Sequence, residues 1–152
     1  MKNILIIGKR GFIGNNLNRY LKKYYKVSHK SFKNLNQIKF NIKNFDYVIN
    51  TSINKNYINK KYNLKYDNDF KIAKLIHKNE NRYIFLSTRK VYKPKANIKE
   101  TSKLLPKSNY AKNKLITEKK LKKKLHNKLV VLRISNVIGE KKNLKKLHKT
   151  FI

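Results

Sequence analysis

The chain has no cysteine, no tryptophan, two prolines and only four glycines in 152 residues. Without cysteine there is no disulfide and no thiolate metal site, a composition that suits a reducing cytoplasm; no metal ion is expected. Long apolar runs are lacking too. Runs such as Ile4–Ile7 fall far short of the ~20 residues that span a bilayer, so no membrane partner is expected. The opening residues show no apolar segment followed by a small-residue cleavage site, as a secretory signal would. Acidic side chains are scarce as well: seven Asp and Glu stand against forty Lys and Arg, a formal net charge of +33.

Taken alone, that charge points to nucleic acid or an anionic surface. The rest of the composition gives it a different origin. Lys, Asn, Ile, Tyr and Phe have A/T-rich codons and are abundant, whereas Gly, Pro and Trp have G/C-rich codons and are rare. Lysine is then the default surface residue, spread along the chain rather than gathered into one patch. Polyanions are expected to bind non-specifically at low salt, because Coulombic attraction ignores why the lysines are there. The same bias makes each glycine informative. Three of the four, Gly8, Gly11 and Gly14, stand three residues apart directly after the first apolar run.

Strand and helix patterns alternate along the chain. Ile4–Ile7 reads as a buried parallel strand. Phe12, Ile13, Leu17, Tyr20 and Leu21 recur at helical spacing, predicting a helix from Phe12 to Lys23. Strands are expected at Lys26–Lys30, Gln37–Ile42, Asp46–Asn50, Tyr83–Ser87 and Leu129–Ile134, and helices at Asn68–His77 and Asn109–Leu125. Such alternation predicts an α/β fold with a doubly wound parallel sheet of the Rossmann type, forming one domain over residues 1–152.

Gly8-Lys9-Arg10-Gly11-Phe12-Ile13-Gly14 is a GxxGxxG motif between a strand and a helix. The first glycine permits the turn, the second lets backbone approach a pyrophosphate, and the third allows close helix–strand packing. The helix N-terminus presents free N–H groups and partial positive charge to the phosphates. Gly8, Arg10, Gly11, Phe12, Ile13 and Gly14 are therefore expected to bind NAD or NADP. A turn whose glycines serve packing alone is the plainer alternative. An NAD site usually carries Asp or Glu near the end of the second strand. Here that stretch is Ser28-His29-Lys30-Ser31-Phe32-Lys33, without a carboxylate. Lys30 or Lys33, with Ser31, would suit a 2′-phosphate, which favours NADP.

Tyr110 and Lys114 stand four apart on a predicted helix and so share a face. A neighbouring ammonium favours a phenolate, which lets a tyrosine oxygen serve as acid or base nearer neutral pH. In a chain with ten tyrosines the pair would mean little alone. Its setting adds weight: Pro106-Lys107-Ser108-Asn109 leads into the helix, with Ser108 or Asn109 as cap. The preceding strand ends in Ser87-Thr88, at the carboxyl edge where such sheets hold ligands.

These pieces together resemble the extended short-chain dehydrogenases/reductases, the NAD(P)-dependent epimerase/dehydratase family that modifies nucleotide sugars. The resemblance is carried by Gly8–Gly14 (GKRGFIG), Asp46–Ser52 (DYVINTS), Leu86–Tyr92 (LSTRKVY), Tyr110–Lys114 (YAKNK) and Leu132–Gly139 (LRISNVIG), in family order. It implies a catalytic trio of Thr88, Tyr110 and Lys114, with the last two also touching the cofactor. It implies cofactor-lining roles for Thr51 and Ser87, and a place for Asn136 on the side of the nucleotide-sugar substrate. A plain turn residue before Gly139 is the other reading of Asn136. Dehydratases of the family carry Asp-Glu after the Ser/Thr; Arg89 and Lys90 stand there, so reductase or epimerase chemistry fits better. Family members continue for a comparable stretch that supplies the sugar-nucleotide pocket, so the substrate domain is expected to be missing. The chain would then be a truncated product, half of a split enzyme with a complementing C-terminal half, or a cofactor-only module. Pairing through the Tyr–Lys helix would make a homodimer.

Overall fold

The computed structural model describes residues 1–76 and 81–138, with the side chain of Phe40 left out. Five strands form one sheet: β1 (Asn3–Ile7), β2 (Lys26–Lys30), β3 (Tyr47–Asn50), β4 (Arg82–Thr88) and β5 (Leu129–Ile134). All neighbours are parallel and their order is β2-β1-β3-β4-β5. The helices are α1 (Phe12–Leu21), α2 (Leu35–Asn41), α3 (Lys55–Asn59), α4 (Asn68–Ala73) and α5 (Asn109–Leu125). This is the doubly wound Rossmann-like architecture expected from the alternation. Among the described residues, no helix is long and apolar enough to cross a membrane, and no group of three or more His, Cys, Asp or Glu could hold a metal ion.

Side chains alternate across the strands, so each strand feeds two cores. Leu5, Ile7, Val48, Tyr83 and Phe85 face α2, α4 and α5, where Ile38, Ile72 and Leu121 pack against them. Ile4, Ile6 and Ile49 face the other way, against Leu17 and Leu21 of α1. The chain leaves β1 toward β2, then returns past β1 to place β3 on its other side. That reversal opens a crevice at the carboxyl ends of β1 and β3, where such sheets take ligands.

One expected element differs. Gln37–Ile42, expected as a strand, lies in helix α2 and the start of a 3₁₀ turn, Ile42–Asn44. Leu35, Ile38 and Ile42 also recur at helical spacing, and that face is buried in the core. Short apolar segments satisfy both periods, and packing decides between them. Helix α3 was not foreseen. It is mostly polar, capped by Asn54 and held from above by α5, whose Asn113 amide donates to the carbonyls of Tyr57 and Lys60 at 2.7 and 2.9 Å. Helix α4 ends at Ala73 rather than running to His77, which lies outside the described residues. Helix α1 stops at Leu21, two residues short of Lys23.

Register places the functional edge. Lys30, Ile7, Asn50 and Phe85 align across the sheet. Strand β4 runs three residues further, with Thr88 paired to Ile134. At ~3.3 Å per residue, Thr88 stands about 10 Å beyond the row that ends β1, β2 and β3.

Candidate functional site

The turn after β1 is shaped by its glycines, each for a different reason. Gly8 has φ +126°, and a Cβ there would lie 2.2 Å from Thr51 Oγ1. A Cβ on Gly14 would lie 2.6 Å from both Gly8 O and Thr51 Oγ1. The protein itself therefore demands glycine at both positions. Gly11 is different. Its backbone is extended, with φ −85°, and a Cβ would meet nothing nearer than Gly8 O at 3.5 Å. Among the described residues nothing excludes a side chain there. Gly11 is also the N-cap of α1 and provides no side-chain cap, leaving the first-turn N–H groups to a ligand. Arg10 is exposed on the turn, and Phe12 and Ile13 are half-buried behind it. The observed cradle fits a dinucleotide pyrophosphate: glycine where a ligand approaches and an uncapped helix end behind it.

Thr51 closes the floor of this crevice. Its hydroxyl donates to Ile7 O at 2.9 Å, and its N–H donates to the same carbonyl at 2.7 Å, tying β3 to β1. On the other flank, Lys30 is exposed at the end of β2, and its carbonyl accepts from the N–H groups of Gly8 and Lys9. The Ser31 hydroxyl accepts from Lys33 N at 3.3 Å and caps the following 3₁₀ turn. Sequence reasoning passed over His29. It reaches under the turn toward Gly14, and its buried Nε2 has no hydrogen-bond partner among the described residues. Burial holds its imidazole below the ordinary value; the Gly8 backbone opposes this and the Lys9 charge adds to it.

The second cluster lies where α5 crosses β4. Ser108 caps the helix, its hydroxyl accepting from Ala111 N at 3.2 Å. Tyr110 follows in the first turn, half-buried. Lys114, one turn on, is 5% exposed. Its Nζ donates to Leu86 O at 2.8 Å and to Asp69 Oδ2 at 3.4 Å, and lies 4.4 Å from the Phe85 ring centre. Asp69 also accepts from Asn50 Nδ2 at 2.9 Å and Tyr83 OH at 2.7 Å. Burial raises its carboxyl above the usual range, and Lys114 opposes that rise. Thr88 ends β4, buried, its hydroxyl accepting from Lys90 N at 3.3 Å. Helix α5 thus packs on β4 with Lys114 bonded to Leu86, two residues before Thr88, and Tyr110 one turn before Lys114 on the helix.

Ser87 precedes Thr88 on β4. Its side chain is fully buried and donates to Glu118 Oε1 at 2.5 Å. Glu118 also takes Arg133 of β5, at 2.6 Å between Nη2 and Oε2. Arg133 Nη1 in turn donates to Tyr92 OH at 2.6 Å. Asn136 is exposed beyond β5; Gly139 lies outside the described residues. Asp69 and Glu118 were missed at the sequence level, yet composition held a signal. The described segments contain five acids, Asp46, Asp67, Asp69, Glu100 and Glu118, and three of them, Asp67, Asp69 and Glu118, are buried.

The profile of the NAD dependent epimerase/dehydratase family matches residues 4–152. Among solved structures, a dTDP-4-dehydrorhamnose reductase from Clostridium acetobutylicum is 25% identical over 93% of this chain and 56% of its own, with a TM-score of 0.68. A dTDP-4-dehydrorhamnose reductase from Bacillus anthracis, in complex with NADP, is 19% identical over 94% of this chain and 57% of its own, at 0.68. A UDP-glucuronic acid 4-epimerase from Bacillus cereus, in complex with NAD, is 20% identical over 90% and 57%, also at 0.68. This chain therefore spans little more than half the length of these structures. No curated protein matches it.

Proposed function

The chain belongs to the NAD-dependent epimerase/dehydratase family, and from that premise we propose that it binds a nicotinamide dinucleotide and serves a nucleotide-sugar reductase or epimerase. The observation that carries the cofactor reading is Gly11. The described residues leave room for a side chain there, so the reason for glycine lies in what approaches from outside. Gly8, Arg10, Phe12, Ile13 and Gly14 complete the phosphate cradle, with Thr51 as its floor. Exposed Lys30, beside Ser31 and without a carboxylate nearby, favours the 2′-phosphate of NADP. When bound, the dinucleotide supplies hydride transfer at its nicotinamide ring.

The chain's own residues would handle the proton. Tyr110 exchanges it at the phenol oxygen with a sugar carbonyl or hydroxyl. Lys114 holds the cofactor ribose, and Thr88, on the overhang of β4, orients the substrate oxygen. Asn136 faces the sugar-nucleotide side. Arg89 and Lys90, where dehydratases of the family carry acids, disfavour 4,6-dehydration. The partner we propose is a complementing C-terminal half. Val130 and Leu132 of β5 are 37% and 45% exposed, on the sheet face that α1 covers only further along. An apolar pair on an edge strand is a surface that further chain would cover. Until it does, a cofactor-binding module without turnover is the second reading.

The test is a fluorescence titration with NADPH and NADH in moderate salt, because salt suppresses non-specific attraction of phosphate to a +33 chain. Saturable binding with NADPH preferred, weakened about tenfold or more by Gly11→Val, supports the reading; that factor corresponds to ~1.4 kcal/mol. Equally weak binding in both proteins would overturn it. With the complementing half supplied, Tyr110→Phe should abolish turnover while leaving cofactor affinity nearly intact; parallel loss of both counts against the assigned role.

A further inference from the structure

We infer that Asp69 is a positioning residue for Lys114: it clamps the ammonium against Leu86 O so that one remaining N–H is presented to the bound dinucleotide. The inference rests on the cofactor reading above and adds a residue to it.

An ammonium has three donors and no acceptor. Two of those on Lys114 are assigned, one to Leu86 O at 2.8 Å and one to Asp69 Oδ2 at 3.4 Å. The Phe85 ring, 4.4 Å from Nζ, closes another side. One donor is left. A free lysine has four side-chain torsions, and holding it still before a ligand arrives removes an ordering cost from binding. Asp69 is itself held. It sits in the first turn of α4, behind the Asp67 cap, and takes the Asn50 amide and the Tyr83 hydroxyl on Oδ1. Strands β3 and β4 and helices α4 and α5 thus converge on one carboxylate. Both partners of the ion pair are about 5% exposed. Desolvating two charges is expensive, and an apolar pair of similar volume would often hold the same elements as well. A fold-only role therefore accounts poorly for the choice, whereas a pinned cation does.

The test is a double-mutant cycle read in NADPH affinity, using wild type, Asp69→Asn, Lys114→Met and the double variant. Melting temperature and circular dichroism are recorded alongside. We expect Asp69→Asn to weaken binding about tenfold in the wild-type background and less than about twofold in the Lys114→Met background. A purely structural Asp69 would couple to Lys114 in melting temperature but not in affinity. An equal loss in both backgrounds, or no loss in either, overturns the proposal. If Asp69→Asn does not fold, Tyr83→Phe removes one anchor from the carboxylate and enters the same cycle, with the same two outcomes. Gly11→Val marks binding at the dinucleotide turn. If wild type itself shows no saturable binding, the cofactor reading fails and takes this proposal with it; failure with wild-type binding intact belongs to Asp69 alone.

Discussion

The glycine turn after β1 and the α5 face over β4, the two regions we propose to hold the dinucleotide, are built of different materials. The turn is made of backbone. Gly8 and Gly14 remove side chains so that Thr51 can fill the floor, with His29 tucked beneath. The α5 face is made of side chains. Three carboxylates, Asp67, Asp69 and Glu118, are buried there and each takes several donors. Steric exclusion holds the first region; electrostatic pairing in low dielectric holds the second. The two should fail differently when perturbed.

The largest effect is expected from Glu118→Ala. It strips the partner from Arg133, whose side chain is 19% exposed, and orphans the fully buried Ser87 hydroxyl. Breaking a buried pair from one side costs about 3–5 kcal/mol, so chemical denaturation should show a large fall in midpoint. A loss below about 1 kcal/mol would mean that water replaces the carboxylate and that the α5 face is less sealed than its burial suggests. Next comes Gly8→Ala. Positive φ and a 2.2 Å approach to Thr51 Oγ1 should destabilise by about 3 kcal/mol. Combining it with Thr51→Ser would leave the clash in place, because the oxygen stays; Thr51→Ala should recover part of the loss.

The smallest effect separates the regions by pH. His29 has its pKa lowered by burial, so the unfolded chain binds the proton more readily than the folded one. Its contribution to stability is complete above the ordinary histidine value of about 6.5 and is lost as pH falls from there toward the folded value. His29→Gln should flatten the stability profile in that acidic window while leaving the α5 face untouched. An unchanged slope in the variant would locate the proton uptake elsewhere.

Legibility divides along the same line. The turn was readable because a tight backbone admits few residues, and glycine scarcity removed accidental matches. The strands β2 and β5 and helix α5 were likewise bounded correctly from periodicity and capping, Ser108 included. Helix α2 was misread since Ile38, Phe40 and Ile42 fit a strand as well as a helix, and only packing against the core chose. Helix α3 carried no apolar stripe to find; its reason for being helical is the amide of Asn113 on a distant element. For Ser87 the chain gives no hint of its partner, Glu118 of α5, 31 residues on.

Local sequence determined what depends on backbone sterics and repeat period: the glycine turn, the alternation of strand and helix, the four-residue spacing of Tyr110 and Lys114. The partners of those residues were settled by tertiary structure alone. Asp69 and Lys114 are 45 residues apart, and Glu118 and Arg133 meet across a helix and a strand. A pattern in sequence encodes which face a side chain takes, because that follows from bond geometry within one element. It does not encode which charge waits on the opposing element, because that requires the register and stacking that only the folded sheet supplies.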